Sequence, residues 1–216
     1  MEPLPRGPVT DGIAIVTAIA WLAALLFGLS QVVPVVAGFI PALFSGARLD
    51  MPSGFAAWQV PKDLTPLTAT LVHGGFLHLA MNMLTLLFCG RTVERVLGGW
   101  GVLVLYLIGA YAAASAQYLA NPLETVPMVG ASGAISALVG AYAMLFSRTR
   151  ARRIGPIPAH YVHALWLLVA WAAIQWMAGF AFNIGGAKLA VAAHIGGFIA
   201  GIMFARTLLA WRFRGA

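Results

Sequence analysis

Long apolar runs, broken at intervals by short clusters of arginine, proline and glycine, fill most of the 216-residue chain. A helix that crosses a membrane needs about 20 mostly apolar residues at about 1.5 Å of rise each. Six stretches meet that length, and the pattern predicts spans at 13–33, 72–90, 100–119, 128–147, 161–182 and 188–210. Between the first two lies a connection, 34–71, that is too apolar ("VVPVVAGFIPALF", "GFAAW") for a plain solvated loop. It is expected to lie partly in the membrane interface, against lipid or against the bundle. The expected fold class is therefore an all-α integral membrane protein with one membrane domain, 13–210. Short tails at 1–12 and 211–216 flank it, and no internal repeat suggests a second domain.

Composition agrees with that pattern. The chain is 61% hydrophobic and 9% charged, whereas soluble domains carry about 25% charged residues. A formal charge of +7 could suit nucleic acid, but the basic residues sit at the ends of apolar runs rather than among aromatics on a polar face. That placement is a topology signal. With the N-terminus inside, the inner segments hold Arg6, Arg91, Arg95, Arg148, Arg150, Arg152, Arg153, Arg206, Arg212 and Arg214. The outer ones hold Arg48, Lys62 and Lys188. Both termini are thus expected on the cytoplasmic side. The opening "MEPLPRGPVTDG" lacks the basic region and apolar core of a removable signal peptide. Cys89 is the single cysteine, which excludes an intrachain disulfide.

Polar residues inside spans carry the candidate chemistry, because such groups are costly in lipid and usually mark function. Counted along the predicted helices, Ser132 lies roughly 8 Å, His194 roughly 9 Å and His78 roughly 10 Å below the outer boundary. Asn82 shares a face with His78 at i, i+4. Alone, each has an ordinary explanation in helix packing or a structural hydrogen bond. Their coincidence at one level on three helices points to a site. Gly197 and Gly201, with Gly196 beside them, form a close-packing face that would bring the His194 helix against the Ser132 helix.

Peptide hydrolysis needs a nucleophile, a base and donors for the developing oxyanion. Ser132 can attack and His194 can take its proton, imidazole being the base that titrates nearest neutrality. Gly130 and Gly133 leave room for substrate backbone, and the first-turn amides beside Ser132 are free. His78 and Asn82 can donate further hydrogen bonds. None of the six acids, Glu2, Asp11, Asp50, Asp63, Glu94 and Glu124, falls at this depth, so a Ser–His dyad is expected rather than a triad. No H-E-x-x-H is present for zinc, and the five-residue spacing of His73 and His78 would split them around a helix. No metal and no cofactor are expected.

These motifs resemble the rhomboid intramembrane serine proteases. The matching residues are G-x-S-G at Gly130, Ala131, Ser132 and Gly133; A-H-x-x-G-x-x-x-G at Ala193, His194, Gly197 and Gly201; and His73, His78 and Asn82 in order. "VERVLG" at 93–98 resembles a further family feature, with Glu94 just past the second span. The resemblance covers about 64–210 and implies a six-helix bundle with a water-filled cavity open to the outside. It implies cleavage of membrane-anchored, single-span substrates near the tops of their helices, with lipid as surroundings and no nucleic acid as partner. By family role Ser132 is the nucleophile and His194 the base, with His78, Asn82 and the Ser132 N–H as oxyanion donors. His73 would support the cavity and loop. A bacterial inner membrane fits, with the site on the extracytoplasmic side.

Two positions depart from patterns in some bacterial members. Leu64 and Thr65 stand where a Trp-Arg pair anchors the first connection, and Ser136 stands where a tyrosine packs on the imidazole. A transporter would predict inverted repeats and a polar path through both leaflets, whereas these polar residues reach only one. A catalytically silent binder of single-span clients remains the alternative reading, and the retained Ser132 and His194 argue against it.

Overall fold

The computed structural model describes residues 6–48, 53–146, 151–184 and 190–214, with backbone alone at 176 and 178–184. Glu2, Asp50, Pro52, Arg148, Arg150 and Lys188, together with the predicted span ends at 147 and 188–189, lie outside the described residues. The fold is all-helical: α1 (Pro8–Leu26), α2 (Val33–Ala37), α3 (Pro41–Phe44), α4 (Thr65–Thr68), α5 (Phe76–Thr85), α6 (Arg91–Ala120), α7 (Ser132–Phe146), α8 (Ala159–Ile184) and α9 (Val191–Arg212). A π turn, Leu86–Gly90, joins α5 to α6.

Helix α1 begins at Pro8 and ends at Leu26, earlier at both ends than the expected span 13–33. Its stop is local chemistry. Gly28 takes a φ of +68°, and Leu29 N–H and Gly28 N–H donate back to Ala24 and Leu25 carbonyls at 2.8 and 3.2 Å. That pattern is a Schellman cap, which favours glycine at its left-handed position. Small residues Thr10, Ala14 and Thr17 face the bundle, while Ile15, Ile19 and Leu26 point outward, 59–73% exposed. Such an arrangement suits a helix bathed in lipid, where close approach rather than bulk holds helices together.

The stretch Phe76–Ala120 is 45 residues of apolar helix that reverses direction at Gly98, φ +75° and ψ 167°. Contacts establish the reversal. Thr10 packs at Gly90 and Val9 at Gly99, while Trp21 meets Phe76 with ring centroids 6.3 Å apart. The arm 76–97 therefore runs antiparallel to α1, and the arm 99–120 returns. Helix continues through Glu94 to Leu97, so Glu94 sits inside the last turn of that arm rather than past its end. At the top of the return arm, Gly133 of α7 lies against Ala113.

Helices α7 and α9 run parallel to each other and antiparallel to 99–120. A methyl on Gly197 would strike the Gly133 carbonyl, one on Gly201 the Ala137 carbonyl, and one on Gly140 the Phe198 carbonyl. Gly196 fits against Ala112 and Ala116 in the same way. The seam between α7 and α9 is thus built from backbone-to-backbone approach. Helix α9 runs two residues beyond the expected 210, and Arg212 at its end lies against the Gly98 turn.

The described parts of the connection, 34–48 and 53–71, pack on the bundle through several buried residues. Val36, Phe39, Ile40, Ala42 and Ala69 are buried. Phe39 and Met128 exchange backbone hydrogen bonds at 3.0 and 2.8 Å, and Gly130 N–H donates to the Ala69 carbonyl at 2.9 Å. The segment that leads into Ser132 is therefore strapped from one side.

Candidate functional site

Helix α7 begins at Ser132 itself, not at 128. Residues 127–131 arrive outside any helix, with Met128 in an isolated antiparallel bridge to Phe39. A count of about 1.5 Å per residue from Pro127 therefore does not apply to this segment. The first helical bond runs from Ile135 N–H to the Ala131 carbonyl at 2.9 Å. The N–H groups of Ser132, Gly133 and Ala134 precede it and have no carbonyl one turn back.

His194 lies in the first turn of α9, and its Nε2 is 2.7 Å from Ser132 Oγ. With the proton on Nδ1, the serine donates its O–H to Nε2. The Gly196, Gly197 and Gly201 approaches set this distance, since they seat α9 on α6 and α7. His194 Nδ1 is buried and has no hydrogen-bond partner among the described residues, so no carboxylate stands behind the imidazole there.

Gly130 is forced twice over. Its φ of +109° disfavours a side chain, and an added Cβ would sit 2.6 Å from His78 Nε2 and 3.8 Å from Ser132 Oγ. The same small volume is thus edged by the His78 imidazole and the serine oxygen. Asn82 is buried one turn below His78, and its Nδ2 donates to the His78 carbonyl at 2.8 Å. One amide N–H of Asn82 is left over, and its Oδ1 has no partner among the described residues.

The expectation that His73 and His78 diverge around a helix is overturned. His73 precedes α5 in the 72–75 loop, which folds its ring against His78 with centroids 5.0 Å apart in an edge-on contact. His73 Nε2 accepts the Ala131 N–H at 3.5 Å, beside the Ala69 strap on Gly130. Among the described residues no three metal-binding side chains gather.

The sequence pattern of the Rhomboid domain family matches residues 62–211. The chain belongs to the rhomboid family. It is 30% identical to "Rhomboid protein 1, mitochondrial" of Saccharomyces cerevisiae over 69% of this chain and 48% of that protein. Against "Rhomboid protease GlpG" of Pectobacterium atrosepticum it is 29% identical over 92% of this chain and 62% of the relative. "Rhomboid protease GluP" of Bacillus subtilis matches at 30% over 66% of this chain and 25% of its own length. The chain spans less than two thirds of each of these relatives. It is an integral membrane protein, and its apolar helices fit that family fold.

Other contacts surround the two departures. Leu64 is 49% exposed, and Thr65 turns inward to donate to the Lys62 carbonyl at 2.6 Å. Within the connection Thr68 Oγ1 donates to the Ala37 carbonyl at 2.7 Å, and Tyr111 OH of α6 donates to the Asp63 carbonyl at 3.0 Å. Ser136 donates to the Ser132 carbonyl at 2.8 Å within α7. Bulk near His194 comes from Phe198, one turn on, which stacks with Trp171 of α8 at 5.0 Å. Trp171 Nε1 also donates to the His194 carbonyl at 3.3 Å. Trp171 belongs to no motif, because no local pattern marks which tryptophan of α8 faces α9.

Proposed function

We propose that this rhomboid is an intramembrane serine protease that hydrolyses a peptide bond in or near the membrane segment of single-span substrates. The observation that supports it is the 2.7 Å separation of His194 Nε2 and Ser132 Oγ. Ser132 Oγ attacks the substrate carbonyl carbon as its proton passes to His194 Nε2. The new oxyanion forms beside the Ser132 N–H, with His78 and Asn82 as side-chain donors. The imidazolium then protonates the leaving amine, the peptide C–N bond breaks, and an acyl-serine remains. A water molecule, deprotonated by the same imidazole, attacks the acyl carbon; the bond from that carbon to Oγ breaks, and the imidazolium returns its proton to Ser132 Oγ. Gly130 and Gly133 clear space for the substrate backbone, and His73 holds the Ala131 loop in place.

In this reading the domain occupies a bacterial inner membrane, with both termini cytoplasmic, six crossings, and the site opening to the extracytoplasmic side. The test is cleavage of a single-span reporter by purified protein in lipid, beside Ser132→Ala. Product from the wild type alone is expected. A wild type as silent as the variant, and unreactive to a fluorophosphonate probe, would make the chain a non-catalytic binder.

A further inference from the structure

The end of the bundle opposite the candidate site collects cations that have no carboxylate partner among the described residues. Helix α7 runs antiparallel to 99–120, so the 151–158 segment emerges at the Gly98 end, where α9 also finishes. Arg95, Arg152, Arg153, Arg212 and Arg214 are exposed there. Two acids of that end, Asp11 and Glu94, are already engaged. Asp11 pairs with Arg91, and Glu94 accepts from Val9 and Thr10. The guanidinium groups lean on rings and carbonyls instead. Arg212 lies 5.4 Å from the Phe213 centroid and donates to the Arg95 carbonyl at 2.9 Å, while Arg214 lies 5.2 Å from Trp211.

Apolar side chains alternate with these cations. Ile154 and Ile157 exchange backbone hydrogen bonds at 3.2 and 3.0 Å across a Gly155 turn, and Arg153 donates to the Gly155 carbonyl. The turn thereby satisfies several of its own polar groups, a requirement for entering the membrane boundary. It presents Ile154 at 63% and Ile157 at 49% exposure, and α9 presents Trp211 at 48% and Phe213 at 55%. Nucleic acid would meet the charges but leave the isoleucines in water. An anionic phospholipid satisfies both, its phosphate on the arginines and its acyl region under the apolar side chains.

We infer that this basic end is a binding surface for anionic phospholipid headgroups, formed by the Ile154–Ile157 turn and the end of α9. Basic residues near a membrane surface contribute about 1 kcal/mol each, which is about fivefold in affinity. Neutralising two therefore costs about 25-fold. The test titrates phosphatidylglycerol or phosphatidylcholine into the detergent-purified full chain and counts retained lipid by native mass spectrometry. Phosphatidylglycerol is expected to bind more tightly. Arg152→Gln/Arg153→Gln and Arg212→Gln/Arg214→Gln should each cut its affinity about 25-fold and leave phosphatidylcholine unchanged. Ile154→Ser/Ile157→Ser should weaken both lipids alike. Glycerol phosphate is expected to compete poorly, and equal competition by it would make the surface a free-phosphate site and sink the lipid assignment. Should a variant fail to fold, the wild type at high salt serves, since screening must erase the preference. Equal affinity for the two lipids, or a preference that survives high salt or both double variants, overturns the proposal.

Discussion

The two ends of this rhomboid domain treat buried polar atoms in opposite ways. At the basic end, Glu94 is 6% exposed and accepts three hydrogen bonds, from Val9 N–H at 3.0 Å, Thr10 N–H at 2.8 Å and Thr10 Oγ1 at 2.6 Å. One carboxylate from the 76–97 arm thus caps the start of α1, satisfying N–H groups that a helix N-terminus leaves open and placing negative charge where the helix dipole favours it. At the other end, His73 Nδ1, Asn82 Oδ1 and His194 Nδ1 are buried without partners among the described residues. A satisfied network holds a fold together; groups left unsatisfied are available to a substrate or to water. The contrast sets the Glu94 cap against the candidate site, while Thr17 Oγ1 and Tyr106 OH between the two ends are also buried without partners among the described residues.

Ser132→Ala breaks the comparison where the effect should be largest. The change removes the proposed nucleophile, so cleavage should fall by about 10⁴-fold or more. The thermal midpoint should stay within a few degrees of wild type, because one small side chain replaces another. Steady-state cleavage and a melting curve on the same preparation check both halves. In the wild type, kcat/KM should also fall on acidification, since only neutral His194 can accept the serine proton.

The donors come next. His78→Ala and Asn82→Ala should each lower kcat by about 10²–10³ with smaller changes in KM, the usual loss for an oxyanion donor. The Ser132 N–H survives both changes, so neither should be as inactive as Ser132→Ala. The double variant should lose less than the product of the singles, because both are proposed to act on one oxygen. Asn82 already spends one N–H on the His78 carbonyl, so its replacement should also perturb His78. Wild-type turnover in both variants would put the oxyanion elsewhere.

How much of this was legible beforehand follows the range of each interaction. Apolar runs reveal helices, and G-x-S-G with A-H-x-x-G-x-x-x-G reveals the helix pair, because glycine spacing on one helix is local information. Span ends were less legible: Gly28 stops α1 through a cap pattern, and α7 starts only at Ser132 because a distant strap, Phe39 to Met128, holds the preceding residues extended. Contacts between remote segments were not legible. Nothing near His73 signals that its loop folds back on His78, and nothing near Glu94 names Thr10, 84 residues away, as its partner. Trp171 is of the same kind.

Glu94→Ala tests the satisfied end. It leaves two helix N–H groups and the Thr10 hydroxyl without their acceptor, and unmet buried donors cost about 1–3 kcal/mol. The loss should appear as a lower melting temperature, with kcat at low temperature within about threefold of wild type because the site lies at the far end. Glu94→Gln should recover part of the stability, since its amide oxygen can still accept. A fall in kcat like that of His78→Ala, at unchanged melting temperature, would show that the two ends are not separable.

Arg91→Gln should give the smallest effect and so sharpens what holds the basic end. Arg91 Nε donates to Asp11 Oδ1 at 2.6 Å, a short contact, but the two side chains are 25% and 35% exposed. Water and salt reach such a pair, and exposed pairs are typically worth about 0–1 kcal/mol. Its loss should therefore cost less than Glu94→Ala although both tie α1 to the same arm. The difference between wild type and Arg91→Gln should also shrink toward zero in about 1 M salt, where the Debye length is about 3 Å. The Glu94→Ala deficit should persist there, because its hydrogen bonds to Val9 and Thr10 are shielded from solvent. Melting curves of the two variants at low and high salt decide it. Equal deficits that respond equally to salt would mean that charge pairing, rather than the satisfied cap, fastens α1 to the bundle.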